Sequence, residues 1–151
     1  MADSYILSRD QLEDQRKKRI QFFRILLLVS VIAPLPIRLY FFTTKPVDWN
    51  TLIDAITLLF PTYIYYISRR GQQELALILF VTMYTGLFCY LPFVIGSSYA
   101  LCVSFFAIYL IAAYVSESKI SKVVNSIIIF IGALIYIAEI HFFNIPPIPS
   151  A

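Results

Sequence analysis

Apolar residues fall in long runs separated by short polar turns, at about Ile20 to Phe42, Thr51 to Ser68, Glu74 to Leu91, Ser98 to Val115 and Val123 to Phe143. Each run approaches the roughly twenty residues an α-helix needs to cross the hydrocarbon core of a bilayer. The pattern therefore predicts an all-α fold, a polytopic bundle of five transmembrane helices with short loops. Within each run the smaller or more polar residues recur at helical spacing. They are Ser30, Pro34 and Arg38; Asp54, Thr57, Pro61, Tyr65 and Ser68; Glu74, Thr82, Thr85 and Cys89; Ser97, Ala100, Ser104 and Ala107; and Asn125, Gly132, Tyr136 and Glu139. These faces are expected to look into the bundle. Lipid gives helices no hydrophobic reason to associate, so small residues and interhelical hydrogen bonds must do it.

Punctuation refines the elements. Pro34 and Pro36 lie in the outer half of the first run, and the Pro34 ring crowds the carbonyl of Ser30, so a kink is expected there. Ahead of it, residues 1–19 read as a charged cytoplasmic helix running unbroken into the first span. Ser8 and Gln11 form a candidate capping box, and Glu13 with Lys17 and Asp14 with Lys18 sit four apart in the favourable order. Residues 20–143 make the bundle. Trp49 suits the interface, Pro92 and Gly96 separate the third and fourth helices, and Ser116 to Lys122 reads as a polar turn. Residues 144–151 are a proline-rich tail that stops the last helix and favours extended backbone.

The turn Ser68-Arg69-Arg70-Gly71-Gln72-Gln73-Glu74 fixes the orientation. Arginines in so short a loop are favoured on the cytoplasmic side, and Gly71 supplies the backbone freedom to leave one helix and begin another. Of the twelve Lys and Arg residues, Arg9, Arg16, Lys17, Lys18, Arg19, Arg24, Arg69, Arg70, Lys119 and Lys122 fall on that side, and only Arg38 and Lys45 on the other. The N-terminus is then cytoplasmic and the end of the chain extracytoplasmic.

Composition agrees with a lipid solvent: 60% hydrophobic, 14% charged and a mean hydropathy of +0.77. The net charge of +3 reflects membrane sidedness and not a nucleic-acid surface. The cluster Arg16, Lys17, Lys18 and Arg19 is placed to rest against anionic headgroups. Cys89 and Cys102 lack metal-ligand spacing and read as packing residues. The single histidine, the Glu139-x-His141 spacing, and the absence of a Gly-rich phosphate loop or nucleophile elbow argue against catalysis, a cofactor or a metal in this chain.

Ionisable residues at membrane depth carry the remaining chemical signal. Arg38, Asp54, Glu139 and His141 all lie about one turn from the outer helix ends, and a charge at a helix centre costs about 2.5 to 3.5 kcal/mol. They are expected to form a polar cluster in which Arg38 pairs with Asp54 or Glu139 and His141 titrates near neutral pH. Tyr40, Trp49, Tyr90 and Tyr136 would wall a small ligand site there. The competing reading is a structural ion pair with His141 exposed at the interface. Glu74, beside Arg69 and Arg70, reads as a structural or topological charge.

An apolar helix ending in Arg69-Arg70-Gly71, followed by a partner opening with a polar residue and then Leu75-Ala76, resembles the second and third helices of the multi-helix N-terminal membrane sensor regions of bacterial histidine kinases and nucleotide cyclases. The resemblance implies a sensor or receptor module that relays a ligand, lipid or bilayer signal to a cytoplasmic output domain, and a homodimer as the working unit. Six helices are usual in that family, so the chain reads either as a sensor fragment ending before its last helix or as an unrelated five-helix protein. The alternative function is a small transporter or channel subunit with a polar path between helices. The expected partners are membrane lipids, a second copy and a small-molecule or lipid signal, with no nucleic acid.

Overall fold

The computed structural model describes residues 9–44, 49–95 and 99–142, which are helical apart from the short turns at 33–34, 70–72 and 116–118. The elements are α1 (Arg9–Ile32), α2 (Leu35–Thr44), α3 (Trp49–Arg69), α4 (Gln73–Ile95), α5 (Tyr99–Val115) and α6 (Lys119–Phe142). The predicted helical class holds, but the described helices number six, because the first apolar run is two helices. At Pro34 the expected kink is a full break. Proline has no N–H to return to Ser30, and its ring collides with that carbonyl, so α1 stops at Ile32. Pro34 then starts the next element: its carbonyl accepts the Arg38 N–H at 3.0 Å. Pro36 falls in the first turn of α2, where a missing N–H leaves no helical bond unmade.

Three other boundaries move. α3 begins at Trp49 and accommodates Pro61 in its interior. α4 runs past the expected end at Leu91, through Pro92, to Ile95; membrane helices tolerate such interruptions. α6 begins at Lys119, inside the expected polar turn, because the Ser118 hydroxyl accepts the Ser121 N–H at 3.0 Å and so caps the helix. Two local expectations hold. Lys18 and Asp14 pair at 2.6 Å on α1, which runs unbroken from its charged segment into the apolar one. Gly71 adopts φ +88°, the left-handed conformation a helix exit favours in glycine. Ser8, Lys45 to Asp48, Gly96 to Ser98 and the proline-rich tail lie outside the described residues.

The chain divides into two compact units, Met1–Arg69 and Arg70–Ala151. In the first, α1 packs along α3, with Phe23 and Leu27 buried on one helix and Pro61, Ile64 and Ile67 on the other. In the second, α4 and α6 make the main contact and α5 packs on both. Its interior holds Leu77, Val81 and Thr85 from α4, Phe105, Ile108 and Ala112 from α5, and Asn125, Ile129, Gly132 and Tyr136 from α6.

Most predicted inward faces are those found, with two corrections. Thr82 is exposed and returns its hydroxyl to the Ile78 carbonyl at 2.8 Å, so its own helix satisfies it. On α5 the buried face is Phe105, Ile108 and Ala112, and Ala107 is exposed. The reason is shape: the Thr85 methyl occupies the space directly over Gly132, and from α5 it is the Phe105 ring that packs beside it.

Two described helices are long and apolar enough to cross a membrane, Gln73–Leu91 and Lys119–Phe142, with a shorter apolar helix at Val103–Val115. Only 28% and 22% of their apolar windows are buried. A core helix of a water-soluble protein would bury most of such a surface. Here Phe106 and Phe130 stay 61% and 64% exposed, an apolar area that calls for lipid or a partner to cover it.

Candidate functional site

Two polar ties hold helix ends within the units. In the first, Arg24 reaches from α1 to the last turn of α3. Its Nη2 donates to the Ser68 carbonyl at 2.7 Å and its Nε to the Ser68 hydroxyl at 3.1 Å. The last carbonyls of a helix lack intrahelical donors and carry the negative end of its dipole, so a guanidinium is a suitable partner. In the second, Glu74 in the first turn of α4 crosses to the α5–α6 turn. One carboxylate oxygen accepts the N–H groups of Glu117 at 2.8 Å and Ser118 at 3.0 Å, and the other lies 3.5 Å from the Ser116 hydroxyl. Charge-assisted bonds of this kind are roughly twice as strong as neutral ones.

Above the Glu74 tie, α6 turns one polar face inward: Ser121, Asn125, Gly132 and Tyr136 are buried and Glu139 is half-buried. The Asn125 Nδ2 donates to the Ser121 hydroxyl at 3.2 Å. At Gly132 the helices touch closely. A Cβ there would drive into the Thr85 methyl and stand 3.3 Å from the Phe105 ring. The Cys89 thiol lies beside the Gly132 carbonyl, with Sγ to O at 3.4 Å. Rings close the same level, Phe88 edge-on to Phe105 at 5.8 Å and Phe105 against Tyr136 at 5.6 Å.

Three shielded polar atoms lack a hydrogen-bond partner among the described residues: Thr85 Oγ1, Asn125 Oδ1 and Glu139 Oε2. Buried polar atoms are usually paired, and an unpaired carboxylate oxygen is the most costly of the three.

The predicted site residues fall as follows. Arg38 and Asp54 belong to the first unit, and Tyr90, Tyr136, Glu139 and His141 to the second. Arg38 lies on α2 and hydrogen-bonds through Nη1 to the Thr57 hydroxyl of α3. The Asp54 side chain lies outside the described residues. Tyr136 is a core ring, 1% exposed, and walls no open site; Tyr90 is half-buried and His141 exposed. Arg69, Arg70 and Gly71 are exposed at the turn. No group of His, Cys, Asp and Glu able to hold a metal occurs among the described residues.

Arg24, counted by sequence as a topological charge alone, has a structural role that was missed, while Glu74 is a structural charge whose partners, the Glu117 and Ser118 amides, were not foreseen. The available signal was that Arg24 stands alone in an apolar stretch, one turn beyond the basic cluster, where an unpaired cation is costly. Sequence also missed an apolar groove of about 610 Å³ between α5 and α6. Comparison with protein-family models, curated proteins and solved structures returned no match to this chain.

Proposed function

We propose that the chain is a multi-pass membrane sensor or receptor module, with its N-terminus cytoplasmic, that passes a ligand, lipid or bilayer signal to a cytoplasmic output domain. In this reading α1 and α2 together make the first of five crossings. The observation that carries it is the contrast between the two ends of the α4–α5–α6 unit. One end is tied by Glu74 to the α5–α6 turn, and toward the other Glu139 Oε2 is shielded and unpaired. A hydrogen-bond donor or cation reaching Glu139 would favour whichever helix arrangement lets it pair, and such differential binding is what a conformational response requires. Glu139 lies near the end of α6, so the roughly 2.5 to 3.5 kcal/mol that a charge costs at a helix centre is the upper limit of that leverage. A transporter or channel subunit is the second reading. The contact of Gly132 with Thr85 and the rings of Phe88, Phe105 and Tyr136 speak against a polar path inside this unit.

The test is hydrogen exchange on the full chain in liposomes, wild type against Glu139→Gln, with potassium and proton flux measured in parallel. The sensor reading expects exchange at the Ser116 to Ser118 amides to change several-fold, although Glu139 is about 30 Å along α6 from that turn, and no flux above empty liposomes. Unchanged exchange, with a flux that the substitution abolishes, would replace the sensor by the channel.

A further inference from the structure

We propose that the groove between α5 and α6 seats one acyl chain of an anionic phospholipid whose headgroup is held by Lys119 and Lys122. The groove is lined by Phe106, Tyr109, Ile127, Phe130 and Ala133 and offers almost no polar surface. Its one hydroxyl from α6, Ser126, is already donated to the Lys122 carbonyl at 2.8 Å. Such a lining cannot orient a polar ligand, and it suits a saturated chain.

The end of the groove says which lipid. Lys119, Lys122, Ser126, Phe130 and Ala133 follow one another at intervals of three or four residues, so they share one face of α6. Both lysines are exposed, and their long stems can lie along the apolar groove while the ammonium groups reach the headgroup level. The nearby acids, Glu117 in the turn and Glu74, held by the Glu117 and Ser118 amides, lie outside α6, so the charges on the α6 face that runs into the groove are the two lysines. Length agrees as well. From Lys122 to Ala133 the helix rises about 16 Å, close to the roughly 15 Å of one leaflet's hydrocarbon. The headgroup charge and the chain are thus matched by one continuous surface. The site requires only that α6 crosses the membrane and does not rest on the sensor reading.

The test uses the full chain in phosphatidylcholine nanodiscs carrying a trace of phosphatidylglycerol with a photoreactive diazirine on its acyl chain, and maps the labelled residues. Labelling is expected to concentrate on Phe106 to Tyr109 and Ile127 to Ala133, above that on the equally apolar and exposed Ile135 and Ile137. The phosphatidylcholine analogue should show no such concentration. Each lysine near an anionic headgroup is worth roughly a fivefold change in affinity, so the double variant K119Q/K122Q should reduce the enrichment at least fivefold. Neutralising Arg16, Lys17, Lys18 and Arg19 should leave it in place. Filling the groove with Ala133→Phe should abolish it, and Phe106→Ala, at an exposed ring that cannot unfold the core, should weaken it. Uniform labelling of all α6 faces would overturn the proposal. So would equal enrichment with the two lipid analogues, or enrichment that survives K119Q/K122Q. A groove variant that shifts the oligomeric state and leaves labelling unchanged would assign the groove to a second copy instead.

Discussion

Replacing Gly132 with alanine is expected to destabilise the protein by about 1 to 3 kcal/mol, the range for overpacking a close contact. The added Cβ would overlap the Thr85 methyl and press the Phe105 ring at 3.3 Å. Neither neighbour can yield freely: Thr85 is β-branched and held to few rotamers in a helix, and Phe105 is wedged between Phe88 and Tyr136. The diagnostic result is compensation. Thr85→Ala removes the obstructing methyl and also the unpaired Oγ1, so alone it should be nearly neutral. The double variant should recover most of the loss, with a coupling above about 1 kcal/mol as expected for residues in contact. Thermal midpoints of the detergent-solubilised chain give all four corners of the cycle. Additive losses would mean that α4 and α6 do not meet at this level.

Replacing Arg24 with leucine is expected to cost about 1.5 to 3 kcal/mol, the range for a hydrogen bond to a charged group. The substitution keeps an apolar side chain of comparable bulk and removes both bonds to Ser68, at 2.7 and 3.1 Å. Lysine tests the geometry. It retains the charge and cannot reproduce the guanidinium fork, so Arg24→Lys should fall between wild type and Arg24→Leu. Ser68→Ala removes only the hydroxyl partner and should cost about 1 kcal/mol or less. If Arg24→Leu were as stable as wild type in the thermal assay, Arg24 would be a topological charge and nothing more.

Much of the α6 face was legible because lipid inverts the usual pattern: when nearly every position is apolar, the few small or polar residues point inward. Asn125, Gly132 and Tyr136 at helical spacing gave that face correctly. On α5 the same rule misled, since the side chain it packs beside Gly132 and Thr85 is the Phe105 ring and not a small residue, and no local feature of α5 records the shape of its partners. Pro34 announced a disturbance, but whether proline bends or divides a helix depends on what packs beside it. The Ser118 cap stood in plain view inside a stretch of Ser, Glu and Lys that reads equally well as a turn. Glu74 was visible as a charge at the start of an apolar run, while the donors its carboxylate accepts from, the amides of Glu117 and Ser118, lie more than forty residues on. Sequence spacing within one helix cannot find such a pair.

In the proposed topology the chain crosses the membrane several times with the Arg69-Arg70-Gly71 turn on the cytoplasmic side. Single cysteines at Asn50, Gln72 and Gly96, introduced after Cys89 and Cys102 are replaced, test it in intact cells with a membrane-impermeant thiol reagent. The asymmetry of basic residues predicts that Asn50 and Gly96 react from outside and that Gln72 reacts only after the membrane is opened. External labelling at Gln72 would reverse the orientation, and equal labelling at all three positions in intact cells would contradict membrane crossing altogether.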